Sequence, residues 1–199
     1  LNPHKSSIKY GGNCEGVIAQ HPEKAISCIK SMESGSFGSV YRVNKGEENY
    51  AMKVIDFKSP TIKQSYYREV DIFKKLEGIS NVVQCIENWV TNDQKHGIII
   101  MNDLGDNDLF DIIDNGQLTE IDMWKYITQL AITIHGLHSR SIFHNDIKIE
   151  NIMIYNGNAY LIDFGLTTET TSACNDTDAM GQPPDKIRYN SEKTKTKKK

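Results

Sequence analysis

Polar and turn-forming residues fill the first two dozen positions, and a periodic hydrophobic pattern starts only at Ile26. Residues 1–25, with Asn2-Pro3, Gly11-Gly12 and His21-Pro22, are expected to form an irregular or packed extension. From Ile26, alternation of apolar and polar positions predicts strands over 26–32 and 39–43 around a glycine-containing turn, then a third over 50–55. Between 62 and 76 the residues Tyr66, Val70, Phe73 and Leu76 recur at helical spacing, which predicts a helix. Segments 82–90 and 97–101 read as two more strands, the second almost wholly apolar and therefore central. The first hundred residues thus describe a mostly antiparallel sheet carrying one helix.

Beyond Asn102 the pattern turns helical. A short helix is expected over 108–114, and Thr119 opens a longer one. Its positions Ile121, Trp124, Ile127, Leu130, Ala131, Ile134 and Leu137 form a stripe at steps of three and four, the face expected to pack inward. Residues 152–155 and 159–162 flank Asn156-Gly157, a pair suited to a two-residue turn with positive φ. Such a hairpin brings Asn151 and Asp163 together at its open end. From Thr167 the chain is polar, closes on a run of lysines and is expected to be a flexible tail; no internal repeat interrupts the whole.

Composition narrows the function classes. The 199 residues are 38% hydrophobic and 25% charged, with a formal net charge of −3, so nothing global calls for nucleic acid or membrane. The longest apolar runs are far too short to span a bilayer. No basic, apolar and small-residue leader is visible, so secretion is not expected, and a start at Leu1 rather than Met is the expected mark of a trimmed end. Cys14, Cys28, Cys85 and Cys174 are scattered, without a C-x-x-C pair, and read as buried or reduced thiols of a cytosolic chain.

The chemistry concentrates in His144-Asn145-Asp146-Ile147-Lys148-Ile149-Glu150-Asn151 and in Asp163-Phe164-Gly165. A candidate base (Asp146), a cation (Lys148) and two hard oxygen ligands (Asn151 and Asp163) stand within one compact segment. That is the equipment a phosphoryl transfer from ATP needs. Upstream, Glu33-Ser34-Gly35-Ser36-Phe37-Gly38-Ser39-Val40 is a turn whose glycines let backbone N–H groups approach phosphate. Lys53 on a predicted strand and Glu69 on the following predicted helix are candidates for an ion pair. His144 reads as a packing and hydrogen-bonding residue, and Asp108 equally well as the N-cap of its helix or as a ligand group.

These motifs resemble the eukaryotic-type protein kinase family, whose general patterns are H-R-D-L-x-x-x-N for the catalytic loop and D-F-G for the metal motif. The lysine two residues after Asp146 resembles the serine/threonine subclass. The His-Asn-Asp spelling resembles the kinases of large DNA viruses, the baculovirus late kinases among them. The resemblance covers about residues 26–188 and implies an α+β, two-lobed kinase-like fold. It divides the chain into an extension (1–25), a β-rich lobe (26–101), a partial, truncated helical lobe (102–188) and a basic flexible tail (189–199).

The activity it implies is transfer of the γ-phosphoryl of ATP to protein serine or threonine hydroxyls, with Mg²⁺ held by Asn151 and Asp163, in the cytoplasm or nucleus. Gly35, Ser36, Phe37, Gly38, Val40, Ala51, Lys53 and Glu69 would surround the phosphates and adenine. Met101 would be the gatekeeper, Asn102 to Leu104 the hinge, and Asp108 would reach the ribose. Protein substrates are the implied partners. Two departures favour a rival reading, a non-catalytic kinase-like binding protein. Glu33 stands where the family has its first glycine, and the chain ends soon after Pro184-Asp185, which replaces the family's Pro-Glu. A third departure, Asn145 in place of the usual arginine, removes the cation that would receive an activation-loop phosphate.

Overall fold

The computed structural model describes residues 14–35 and 38–170. A five-residue helix α1 (Cys14–Ile18) precedes strands β1 (Ile26–Gly35), β2 (Gly38–Lys45) and β3 (Glu48–Asp56). Helix α2 (Pro60–Lys75) and strands β4 (Cys85–Val90) and β5 (His96–Asn102) complete the first half. Five strands form one antiparallel sheet in the order β1-β2-β3-β5-β4, with β5 inside it as its run of isoleucines requires. Ser59 caps α2 by accepting the Ile62 N–H, and Pro60 occupies the first turn, where its missing N–H costs nothing. Tyr66, Val70 and Phe73 then point one face of α2 into the main core.

The second half holds α3 (Leu109–Asp114), α4 (Glu120–Ser139), a short strand β6 (Ile142–Phe143), the hairpin β7 (Ile152–Tyr155) and β8 (Asn158–Leu161), and β9 (Thr168–Glu169) paired with β6. Asn156 and Gly157 both take positive φ, 49° and 70°, as a two-residue turn with matching twist demands. The α+β arrangement expected from the sequence is therefore present, as a β-rich region followed by helices and a hairpin.

Three expectations need correcting. Residues 82–84 do not extend β4. Val82 bridges Leu161, and the Val83 N–H donates to the Leu161 carbonyl, so this segment docks on β8. The buried face of α4 is Tyr126, Thr133 and Leu137, whereas Ile121, Trp124 and Ile127 are exposed. Polar anchors choose that face. The Gln129 side chain donates to Asn158 and accepts the Ala159 N–H, and the Thr133 hydroxyl donates to the Ser80 carbonyl. Of the two readings of the extension the packed one holds for its described part, since α1 packs its Cys14 and Val17 with Val43, Met52, Val54, Ile98 and Ile100 on one face of the sheet. Finally, Cys14 and Cys28 are not thiols but a disulfide, with Cα atoms 6.3 Å apart; Cys85 stays free and half-buried, and Cys174 lies outside the described residues.

Candidate active site

Strand alternation places the first components. Ala51 and Lys53 lie two residues apart on β3 and share a face. Lys53 is 7% exposed and Glu69, from the inward face of α2, is 4% exposed. Lys53 Nζ donates to Glu69 at 2.6 Å and to Asp163 Oδ1 at 3.0 Å. Burial disfavours the Lys53 ammonium, but the charges of Glu69 and Asp163 more than offset it, so its pKa lies above the ordinary lysine value. Burial likewise opposes the Asp163 carboxylate, yet Lys53 and the Gly165 N–H hold its pKa below the usual range.

Asp163 sits at φ 59°, a conformation that aspartate tolerates better than most residues and that turns the chain sharply into Phe164. Phe164 is 1% exposed. Its ring meets Phe73 of α2 at 5.8 Å and His144 edge-on at 4.9 Å. His144 is indeed a packing residue. Its Nδ1 accepts the Asp146 N–H at 3.2 Å, which leaves the ring proton on Nε2, 2.9 Å from the Ile162 carbonyl. Burial pushes the imidazole pKa down, so the ring is neutral at physiological pH.

The loop after β6 folds on itself. Asn151 Nδ2 donates to the Asp146 carbonyl at 2.9 Å and to Asp146 Oδ2 at 2.8 Å; because a carboxylate can only accept, the amide nitrogen must face it. Lys148 Nζ stands 3.2 Å from Asp146 Oδ2. The Ile152–Leu161 pairing closes β7 and β8, so the flanking Asn151 and Asp163 are neighbours, and the Ile162 N–H donates to the Asn151 carbonyl. Asn145, at φ 64°, donates to the Leu166 carbonyl at 3.1 Å and to the Thr168 hydroxyl at 2.9 Å.

The Lys53–Glu69–Asp163 group and the Asp146–Lys148–Asn151 cluster open on one cavity of about 300 Å³, within the size range of small-ligand sites. Gly38, Val40, Ala51, Lys53, Glu69, Met101, Asn102, Leu104, Asp146, Lys148, Asn151 and Asp163 line it, so the structure brings together most of the residues singled out from the sequence. Gly38 is needed for its missing side chain: a Cβ there would collide with the Val54 carbonyl oxygen. Gly35 pairs with Gly38 where the two strands meet; Ser36 and Phe37 lie outside the described residues, as do 189–199. Asp108 is not on the wall. Its Oδ1 accepts the Asp111 N–H at 2.7 Å as the N-cap of α3. Sequence reasoning missed Met32, Val83, Met153 and Ile162, which supply apolar wall. For Met153 and Ile162 the signal was their place at the two ends of the hairpin.

Among the described residues no three His, Cys, Asp or Glu side chains converge as a metal cage. The pair Asn151 and Asp163 nonetheless fits Mg²⁺, which favours one or two protein oxygens and completes its shell with water and phosphate. Asn151 spends its nitrogen on Asp146, leaving Oδ1 for a cation, and Asp163 spends Oδ1 on Lys53 and Gly165, leaving Oδ2.

The family model described as the protein kinase domain matches residues 27–190, so the chain belongs to the protein kinase family. The serine/threonine-protein kinase MPS1 of Encephalitozoon cuniculi is 30% identical over 157 residues, which is 75% of this chain and 26% of that protein. The serine/threonine-protein kinase cds1 of Schizosaccharomyces pombe is 35% identical over 171 residues, 80% of this chain and 36% of that protein. A protein of Acanthamoeba polyphaga mimivirus, also named for the serine/threonine-protein kinases, is 32% identical over 143 residues, 71% of this chain and 26% of its own length. The chain therefore spans roughly a quarter to a third of the length of these relatives.

Proposed function

We propose that this chain binds MgATP in the cavity and transfers the γ-phosphoryl to serine or threonine hydroxyls of protein. The observation that carries the reading is the convergence of the Lys53–Glu69–Asp163 ion pairs and the Asp146–Asn151–Lys148 cluster on one cleft. Val40, Ala51, Met101 and Leu104 enclose the adenine, with backbone groups of 102–104 bonding its edge. Lys53 holds the α- and β-phosphates and Glu69 holds Lys53. Asn151 and Asp163 hold Mg²⁺, which when bound neutralises phosphate charge.

Asp146 orients the attacking hydroxyl and accepts its proton. The hydroxyl oxygen forms a bond to the γ-phosphorus as the bond to the β–γ bridging oxygen breaks and ADP leaves, while Lys148 offsets charge on the moving group.

Thermal melts with MgATP test the binding half. A ligand at about a hundred times its dissociation constant adds roughly 2.7 kcal/mol. A rise in melting temperature that disappears with Asp163→Ala or on removing Mg²⁺ supports the reading. No rise in folded wild type overturns it, and a rise without phosphotransfer leaves the kinase-like binding protein.

A further inference from the structure

We propose that Arg42, through a two-pronged ion pair to Asp103 and a third bond to Asp106, is a positioning residue that fixes the hinge strand at the adenine end of the cavity. The proposal rests on the ATP reading above.

The geometry starts from register. Arg42 on β2 lies directly opposite Ala51, and Ala51 directly opposite Met101, so one cross-strand row runs from Arg42 to the start of the hinge. Ala51 and Met101 form cavity wall, and Arg42 stands one step further out. Its guanidinium reaches over to the segment following β5. Nε donates to Asp103 Oδ2 at 2.5 Å and Nη2 donates to Asp103 Oδ1 at 2.8 Å, while Nη1 donates to Asp106 Oδ2 at 3.0 Å. Lys30 of β1 adds a bond to Asp106 Oδ1 at 2.8 Å.

The Arg42 and Asp103 side chains are 12% and 13% exposed, so water and salt screen the pair far less than a surface pair. Asp103 Oδ1 also accepts the Gly105 N–H at 3.0 Å, where the chain turns at φ 84°. One carboxylate thus shapes the hinge turn and ties it to β2.

A guanidinium fork on a carboxylate specifies angle as well as distance, which a lysine ammonium cannot do. The clamp therefore sets the position of the 102–105 backbone and Leu104 against Val40 and Ala51, the slot in which a base must fit. It touches none of Lys53, Asp146 or Asp163. The expected loss is therefore confined to recognition of the base.

The test uses Arg42→Met, Arg42→Lys and Asp103→Asn in the full chain, with folding checked by circular dichroism. The Michaelis constant for ATP should rise about tenfold in each folded variant, at nearly unchanged kcat, as for lost binding of the base rather than lost chemistry. Affinity for adenosine should fall in parallel, while affinity for magnesium tripolyphosphate, which has no base, should hold. The double variant Arg42→Met/Asp103→Asn should be no worse than either single change.

Equal weakening of adenosine and tripolyphosphate would mean general loosening and overturn the proposal, as would unchanged affinity for both. If Arg42→Met fails to fold, Arg42→Lys carries the same comparison. Hydrogen exchange over 103–106 in the nucleotide-free protein must also quicken in Arg42→Lys, and unchanged exchange there defeats the clamp alone. Absence of MgATP binding in wild type defeats the ATP reading itself, and the clamp's role with it.

Discussion

The pair Lys53 and Glu69 allows stability and activity to be pulled apart. Both side chains are almost completely buried, and Lys53 also reaches Asp163, whose side chain is 34% exposed. Lys53→Met leaves Glu69 buried without its cation, a loss of about 3–5 kcal/mol. Glu69→Leu is milder. Lys53 keeps Asp163 at 3.0 Å, so about 2 kcal/mol is expected, in the range of one lost charged hydrogen bond. The double variant Lys53→Met/Glu69→Leu removes both buried charges and fills the space with apolar volume, an exchange that is often close to neutral. Only the partly solvated Asp163 loses a partner, at about 1 kcal/mol. The double variant should therefore be more stable than Lys53→Met alone by about 2–4 kcal/mol, well beyond the 0.3–0.5 kcal/mol scatter of independent sites. All three variants should lose phosphotransfer. Urea denaturation followed by circular dichroism gives the four stabilities of the cycle. If the double variant is as unstable as the sum of the singles, the pair is not the coupled buried unit described, and the reasoning fails.

Two more outcomes follow from the same geometry. Burial keeps the folded His144 pKa below its ordinary value, so the unfolded chain takes up a proton first; stability is fully present above about pH 6.5 and falls below it by up to about 1.4 kcal/mol per pH unit until the folded ring also titrates. His144→Phe should flatten that slope between about pH 6.5 and 5 in denaturation curves, and an unchanged slope would contradict the assignment. Asn145 already ties down Leu166 and Thr168 without a phosphate, and Thr167 is buried. Phosphatase treatment should therefore leave activity unchanged, while Asn145→Ala lowers it several-fold, about 1 kcal/mol of lost hydrogen bonding; a large loss after phosphatase would mean that a cation such as Arg68 receives a phosphate.

Local patterns carried much of this architecture. Asn156-Gly157 with its flanking apolar runs announced the hairpin, and with it the meeting of Asn151 and Asp163. Alternation on β3 and helical spacing on α2 set Lys53 and Glu69 on the faces that meet. Contacts between distant segments left no such trace. Helix α4 is apolar on more than one side, so periodicity could not choose between the stripe from Ile121 and the face of Tyr126 and Thr133, which share only Leu137; Gln129 and Thr133 chose it through partners in β8 and at Ser80. The Cys14–Cys28 disulfide depends on α1 packing against β1, and Arg42 looked like any polar strand residue until the hinge came alongside. Asp108 remained open between two roles because a cap and a ligand demand the same carboxylate.

Phosphoryl transfer in this cleft can be measured directly. The direct measurement is transfer of γ-labelled phosphate from MgATP to a generic basic protein by wild type, Asp146→Asn and Asp163→Asn, all shown to be folded. Wild type should place label on serine and threonine, and each variant should lose at least about a hundredfold, as expected when a group needed in the transition state is removed. Folded wild type that binds MgATP but transfers no label, or variants that transfer as well as wild type, would contradict the proposed function.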